Sequence, residues 1–223
     1  MPEWWTYTLS DFLLFSPRTY YRLIERHNAA VWPWHLAALG SGLAVAGLLR
    51  RQTPWQGPAV SAVLAALWIW VAWEFVWNRY VAINWAAAYL IGLHAAEVLL
   101  LLWVGLVRGG LKFGWRRDAA GTIGIALFVG SLALYPVLGP IVGRGWRQTE
   151  VFGVAPDPTV LGTLGLLLLV EGPPRWGLLA APVLWCGVSG ATLLALGSPE
   201  AWILLPAALL ALGAAFARGR RGP

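Results

Sequence analysis

Apolar runs of about 20 residues, separated by short polar segments, constrain this chain more than any other feature. A helix that crosses about 30 Å of hydrocarbon needs roughly 20 mostly apolar residues, because unpaired backbone groups are too costly in lipid. The runs are approximately Val31 to Leu49, Gly57 to Trp77, Ile83 to Val107, Ala119 to Val142, Val151 to Val170, Trp176 to Leu196 and Glu200 to Ala217. The sequence therefore predicts an all-α integral membrane bundle of about seven transmembrane helices.

The composition supports a membrane environment. Hydrophobic residues make up 59% of the chain and charged residues 12%, whereas soluble domains carry about 25% charged residues. The 16 tryptophans cluster near the ends of the runs, at the depth that indole rings prefer in membranes. The single cysteine, Cys186, excludes an internal disulfide, and Cys/His spacings typical of zinc sites are absent.

The formal net charge of +6 would suggest nucleic-acid binding in a soluble protein. Here the arginines lie beside apolar runs, where loops meet anionic lipid headgroups. We therefore expect the lipid bilayer as a partner and no nucleic acid.

Three segments divide the chain by composition. Residues 1–30 form an N-terminal interfacial segment, residues 31–217 the transmembrane bundle, and residues 218–223 a basic cytoplasmic tail. Within the first segment, Ser16 followed by Pro17 is a typical helix start, because serine caps the helix and proline fits its first position.

The helix that starts there is amphipathic. Arg18, Arg22 and Arg26 recur every four residues on one face. We expect this helix to lie on the membrane, where it either acts as a lid or docks a partner, or is only a basic flank that anchors the first span. The opposite face carries Tyr20, Leu23, Ile24 and His27.

The distribution of basic residues predicts the orientation in the membrane. On one side of the predicted bundle, the six basic residues are Arg18, Arg22, Arg26, Arg79, Arg144 and Arg147. On the other side, the ten are Arg50, Arg51, Arg108, Lys112, Arg116, Arg117, Arg175, Arg218, Arg220 and Arg221. The richer side should be cytoplasmic, with the N-terminus outside and the C-terminus inside. Three arginines that precede the first span act against this orientation.

Ionisable residues inside the spans are the first candidate functional groups, since each costs about 2.5–3.5 kcal/mol to insert. His94 and Glu97 lie near the midplane of the third predicted span, on one helical face. They predict either an ion or proton pathway or a buried structural hydrogen bond. The pathway would open outward through Glu74, His35 and Asn84, although Glu74 is also explained as a boundary carboxylate beside Arg79 or water.

The fifth predicted span carries a second anomaly. Pro156 and Pro158 block a continuous helix there, so Asp157 or Pro158 should open a short helix of about 13 residues, too short to span alone. A broken or re-entrant helix is expected, and such helices survive in membranes where they line a cavity. In this broken-helix site, Asp157 and Thr159 are either ligands for an ion or solute, or Asp157 is only a helix cap.

Four stretches carry a resemblance to a known family. They are Trp-Trp-Thr-Tyr at residues 4–7, Ser-Asp-Phe-Leu-Leu-Phe-Ser-Pro-Arg-Thr-Tyr-Tyr-Arg at residues 10–22, Phe-Gly-Val-Ala-Pro-Asp-Pro-Thr at residues 152–159 and Pro-Val-Leu-Trp at residues 182–185. With them the chain resembles an uncharacterised family of small bacterial polytopic membrane proteins. The resemblance implies a bacterial inner-membrane location and no particular activity.

These features favour a small permease or ion-coupled carrier that takes a small solute or cation. The alternative is a membrane scaffold or accessory protein that docks a partner through its N-terminal amphipathic helix. An intramembrane enzyme is the weakest hypothesis, because no nucleophile, P-loop, His-Glu-x-x-His or dinucleotide motif is present. We expect no cofactor, and the sequence leaves open whether a metal, a protein partner or a second copy binds.

Overall fold

The computed structural model describes residues 13–51, 53–115 and 117–220. These residues form helices joined by short loops, with no β-strand in the described ranges, so the all-α prediction is confirmed. The helices are α1 (Pro17–Ala30), α2 (Trp34–Leu48), α3 (Gln56–Tyr80), α4 (Ala87–Val107), α5 (Ala119–Ile141), α6 (Pro156–Leu168), α7 (Trp176–Ala195) and α8 (Ala201–Arg220).

Within the described chain, five of these helices are long and apolar enough to cross a membrane: α3, α4, α5, α7 and α8. Their bounds lie within a few residues of the predicted runs. The predicted count of seven is not confirmed, because the first run yields α2 with 15 residues and the fifth yields α6 with 13. At 1.5 Å per residue, such helices reach only about 20 Å. The count becomes six if α1 and α2, which meet at 87°, form one bent span.

The α1 helix forms as its sequence predicts. The Ser16 side chain accepts a hydrogen bond from the Thr19 amide at 3.2 Å, and Pro17 occupies the first turn. The arginine face is exposed. The opposite face, Tyr20, Leu23, Ile24 and His27, is buried against the bundle. An amphipathic helix is therefore present, and its apolar side packs on the protein itself.

The short helix α6 lies at the centre of the bundle. Every residue from 149 to 170 is buried, and α6 contacts α3, α5, α7 and α8. Gly124 of α5 and Gly165 of α6 bring two backbones together: a Cβ atom at position 165 would lie 2.5 Å from the Gly124 carbonyl oxygen. Because neighbouring helices cover α6 on all sides, it needs no lipid-facing surface.

Contacts between loops define two ends of the bundle. At the α1 end, α1 packs on the turn Trp146–Gln148. At the opposite end, Arg175 donates to the Gly110 carbonyl at 2.8 Å, and the Arg218 guanidinium donates to the Val170 and Gly172 carbonyls. The predicted basic tail differs in one respect, since Arg218 and Arg220 still belong to α8.

Exposed indole rings mark both ends, as expected for a bundle whose ends lie at the headgroup level. They are Trp32, Trp73, Trp77, Trp85, Trp146 and Trp202 at the α1 end, and Trp55, Trp103, Trp115 and Trp176 at the opposite end.

Candidate functional site

The chain approaches α6 through a tight turn at residues 151–155. Gly153 has φ +73°, and a Cβ atom there would lie 2.9 Å from Leu67, so only glycine fits without strain. The Thr159 hydroxyl accepts a hydrogen bond from the Gly153 amide at 2.8 Å and donates to the Ala155 carbonyl at 2.6 Å. Pro156 and Pro158 lie in the first turn of α6, where no helical partner for their amides is needed. The helix therefore begins at Pro156, after the turn.

Asp157 joins α6 to its neighbours. Its side chain is 0% exposed. The indole Nε1 of Trp185 donates to Oδ1 at 2.7 Å, and the Ser189 hydroxyl lies 2.8 Å from Oδ1 and 2.9 Å from Oδ2. The Tyr135 hydroxyl donates to Oδ2 at 3.4 Å. The N-cap position belongs to Ala155, so the interpretation of Asp157 as a simple helix cap is wrong.

A second buried carboxyl group, Glu150, lies just before the turn. Its side chain accepts a hydrogen bond from the Tyr20 hydroxyl at 3.4 Å, while Oε2 is buried and has no partner among the described residues. Burial raises the pKa of Glu150 well above its usual value, and the negative charge of Asp157 raises it further. The Arg144 guanidinium and the Tyr20 hydrogen bond oppose that rise. Glu150 is therefore a group that holds a proton readily.

Sequence reasoning missed Glu150. The predicted fifth span begins at Val151, so Glu150 falls outside the spans and is not among the candidate groups. The available signal was its position immediately before an apolar run that is broken by two prolines.

The loop around Arg144 seals the α1 end. Arg144 forms an ion pair with Glu200, and its guanidinium lies 4.1 Å from the ring centre of Tyr21. The Tyr21 and Ser198 hydroxyls share a hydrogen bond of 2.7 Å, and Ser198 also donates to Glu200. These contacts hold α1 over the segment that leads into α6.

The predicted pair in α4, His94 and Glu97, is buried, and the two side chains do not form a hydrogen bond with each other. His94 Nδ1 donates to the Leu90 carbonyl at 2.9 Å, so the two side chains do not share this proton. The His94 ring lies 4.9 Å from each of two indole rings, Trp68 and Trp185. Glu97 is 0% exposed, and neither of its oxygens has a hydrogen-bond partner in the described chain. An unpartnered buried carboxyl group is costly and calls for a bound proton or ion.

The His94 ring connects the two buried sites by contact. Trp185, which touches it, donates its indole hydrogen to Asp157, and Trp68 donates at 3.0 Å to the Thr163 hydroxyl in α6. Ring contacts carry no proton themselves. They place the protonatable groups of α4 and α6 around one pair of tryptophans.

Of the remaining predicted groups, His35 and Asn84 have hydrogen-bond partners nearby in the chain. His35 shares a 3.2 Å hydrogen bond with Asn28, and Asn84 accepts one from the Ala86 amide at the start of α4. Glu74 is only partly buried. Across the described ranges, no hydrogen bond or ring contact joins His35, Glu74 or Asn84 to His94 or Glu97.

Hydrogen-bond donors surround Asp157, and no cluster of metal ligands lies around it in the described ranges. Among the described residues, no three His, Cys, Asp or Glu side chains come close enough together to hold a metal. Asp157 already accepts hydrogen bonds from nitrogen and oxygen donors, which occupy the lone pairs that a cation would need.

Comparison with known proteins gives one match. Residues 18–222 match the family of unknown function DUF6064, which confirms the resemblance to an uncharacterised family. No curated protein and no solved structure matches the chain.

Proposed function

This chain belongs to the family of unknown function DUF6064, and because that family brings no activity with it, we propose from the geometry that the protein is a small proton-coupled permease. Asp157 and Glu150 are its coupling groups. The observation that carries the proposal is a fully buried carboxyl group, Asp157, in the first turn of a broken central helix, with a second buried carboxyl group beside it.

Two buried carboxyl groups that repel each other cannot both be ionised at low cost, so burial and mutual repulsion favour a proton on one of them. Such a pair changes its proton content whenever access to water changes. Tyr20, on the buried face of α1, donates its hydroxyl hydrogen to Glu150, so α1 covers this carboxyl group. A small movement of α1 would therefore admit water to Glu150 and let it exchange its proton.

His94 and Glu97 provide a second protonatable position deeper in the bundle. His94 Nε2 and both Glu97 oxygens are buried without partners in the described chain. The His94 ring contacts Trp185, the indole that donates to Asp157, so the two buried sites share this tryptophan. The bundle thus contains two buried protonatable sites, Asp157 in α6 and the pair His94 and Glu97 in α4.

Reconstitution into liposomes with an internal pH-sensitive dye and a panel of ions and small solutes tests the proposal. We expect solute-dependent proton flux for the wild type and its loss in Asp157→Asn, which keeps an acceptor oxygen for Trp185. Glu171→Gln, an exposed carboxylate at the opposite end, is the matched control and should retain flux. Flux equal to that of empty vesicles for every solute would refute the permease.

The second candidate function is a membrane accessory protein that docks a partner through α1. The apolar face of α1 is already covered by the bundle, so docking would use the exposed row of Arg18, Arg22 and Arg26. A protein that works in this way would tolerate Glu97→Gln and Asp157→Asn and would lose partner binding when the three arginines become glutamine.

A further inference from the structure

A groove lined by arginines lies at the α1 end, and neither Asp157 nor Glu150 lines it. Arg18, Arg22 and Arg26 of α1 and Arg79 of the last turn of α3 line it. The groove has a volume of about 430 Å³, and no acidic side chain of the described residues lines it. Four guanidinium groups gathered in this way repel one another, so the groove has a positive potential that an anion would neutralise.

The guanidinium groups are available to a ligand. Arg18, Arg22 and Arg26 are exposed, and none of them shares an ion pair with another described residue. Arg79 is partly buried, and its Nε atom is buried without a hydrogen-bond partner in the described chain. A buried donor without a partner loses free energy that a bound acceptor would restore.

The shape of the guanidinium group selects the ligand. Its planar fork pairs with two oxygens of a phosphate at once, which makes arginine the usual phosphate-binding side chain where two parallel hydrogen bonds are needed. Arg18 and Arg26 are eight residues apart, about 12 Å along the helix, so the row is long enough for a headgroup with more than one phosphate.

Part of the groove lining is apolar. Leu23, Ala82 and Ile83 line it together with the arginines. Exposed indole rings such as Trp77 and Trp85 place this end at the membrane surface. A free phosphate would leave these aliphatic side chains uncovered, whereas a lipid covers them with glycerol and acyl carbons. We propose that the groove binds the phosphate-bearing headgroup of an anionic phospholipid, independently of the permease proposal.

Binding to the purified full-length chain in zwitterionic micelles tests this proposal. The probes are short-chain phosphatidylglycerol, short-chain phosphatidylcholine and inorganic phosphate. We expect phosphatidylglycerol to bind about tenfold more tightly than phosphatidylcholine, and inorganic phosphate to bind more weakly than either lipid. Equal affinity for the two lipids would overturn the proposal, and so would inorganic phosphate binding as tightly as phosphatidylglycerol.

The matched variants separate this groove from general charge attraction. The double change Arg22→Gln with Arg79→Gln should abolish the preference for phosphatidylglycerol. Arg50→Gln with Arg51→Gln removes the same charge from exposed positions at the opposite end and should keep the preference. The double change Arg18→Gln with Arg22→Gln leaves the partly buried Arg79 in place. It should also reduce the preference for phosphatidylglycerol. Equal losses in the Arg50 and Arg51 variant would overturn the proposal.

Discussion

The Asp157 carboxylate is the acceptor for donors from two neighbouring helices, Tyr135 on α5 and Trp185 and Ser189 on α7. Asp157→Ala would leave those donors buried and unpaired, at about 1–3 kcal/mol for each. We therefore expect Asp157→Ala to lower the free energy of unfolding in detergent by several kcal/mol. Asp157→Asn keeps an acceptor oxygen and should cost clearly less; equal losses would show that the hydrogen bonds do not stabilise the bundle.

Glu150 should make the stability of the protein depend on pH. Its pKa is raised in the folded state, by burial first and by Asp157 second, so the folded state holds its proton at a pH where the unfolded state has released it. Stability should therefore fall as pH rises from about 4 through the folded-state value, by at most about 1.4 kcal/mol per pH unit.

Thermal unfolding in detergent across that pH range measures this effect. Glu150→Gln cannot ionise, so its unfolding temperature should fall less with rising pH and should exceed that of the wild type at neutral pH. The exposed Glu171→Gln should follow the wild-type profile. A Glu150→Gln profile parallel to that of the wild type would contradict the role given to this carboxyl group.

The sequence identified Asp157 as a candidate but not the residues that form hydrogen bonds with it. The two prolines singled out Asp157. Its partners Tyr135, Trp185 and Ser189 lie 22 to 32 residues away in the chain. Hydrogen bonds over such separations depend on which helices are neighbours, and local pattern does not encode that.

The contact between α5 and α6 depends on two small residues. Gly165→Ala would place a methyl group 2.5 Å from the Gly124 carbonyl oxygen and 2.6 Å from the Phe128 nitrogen, both backbone atoms that cannot rotate away. We expect a loss of about 1–3 kcal/mol in unfolding free energy, as for other overpacked interiors.

Gly187→Ala is the matched control, since it lies inside α7 with no atom within 4 Å of the added carbon. Replacing glycine by alanine in an open helical position should stabilise it by about 0.5–1 kcal/mol. Chemical unfolding of both variants in one detergent gives the comparison. Similar changes in the two would mean that α5 and α6 are not in close contact.

Helix positions were predictable where local rules determine them. Apolar length gave α3, α4, α5, α7 and α8 to within a few residues, and the capping residue Ser16 gave the start of α1. The π-helical turns at Val71–Tyr80, Leu101–Val107 and Gly130–Leu134 were not predicted. Two of them, Val71–Tyr80 and Gly130–Leu134, contact α6, and no residue preference marks any of the three in the sequence.

The orientation of the whole molecule in the membrane is a prediction. The distribution of basic residues predicts that the α1 end lies outside. In a Cys186→Ala background, Gly145→Cys lies exposed at the α1 end and Pro173→Cys lies exposed at the opposite end. An impermeant maleimide should label the first variant in intact cells and the second only after permeabilisation, and the reverse result would invert the topology.

The number of crossings was the main difference between sequence and structure at this scale. Apolar length counts a run as a span because it assumes that lipid surrounds the helix. α6 meets protein instead, so 13 residues and a turn suffice for it. Apolar length does not show whether a run faces lipid or is buried inside the protein.

The enclosure of α6 also orders the biogenesis of the protein. During synthesis α6 leaves the ribosome before α7 and α8, yet these later helices supply much of its surroundings. A nascent chain that ends before Trp176 therefore lacks Trp185 and Ser189, two of the hydrogen-bond partners of Asp157. Quality-control proteases would meet such a chain with this carboxylate unpaired on one side.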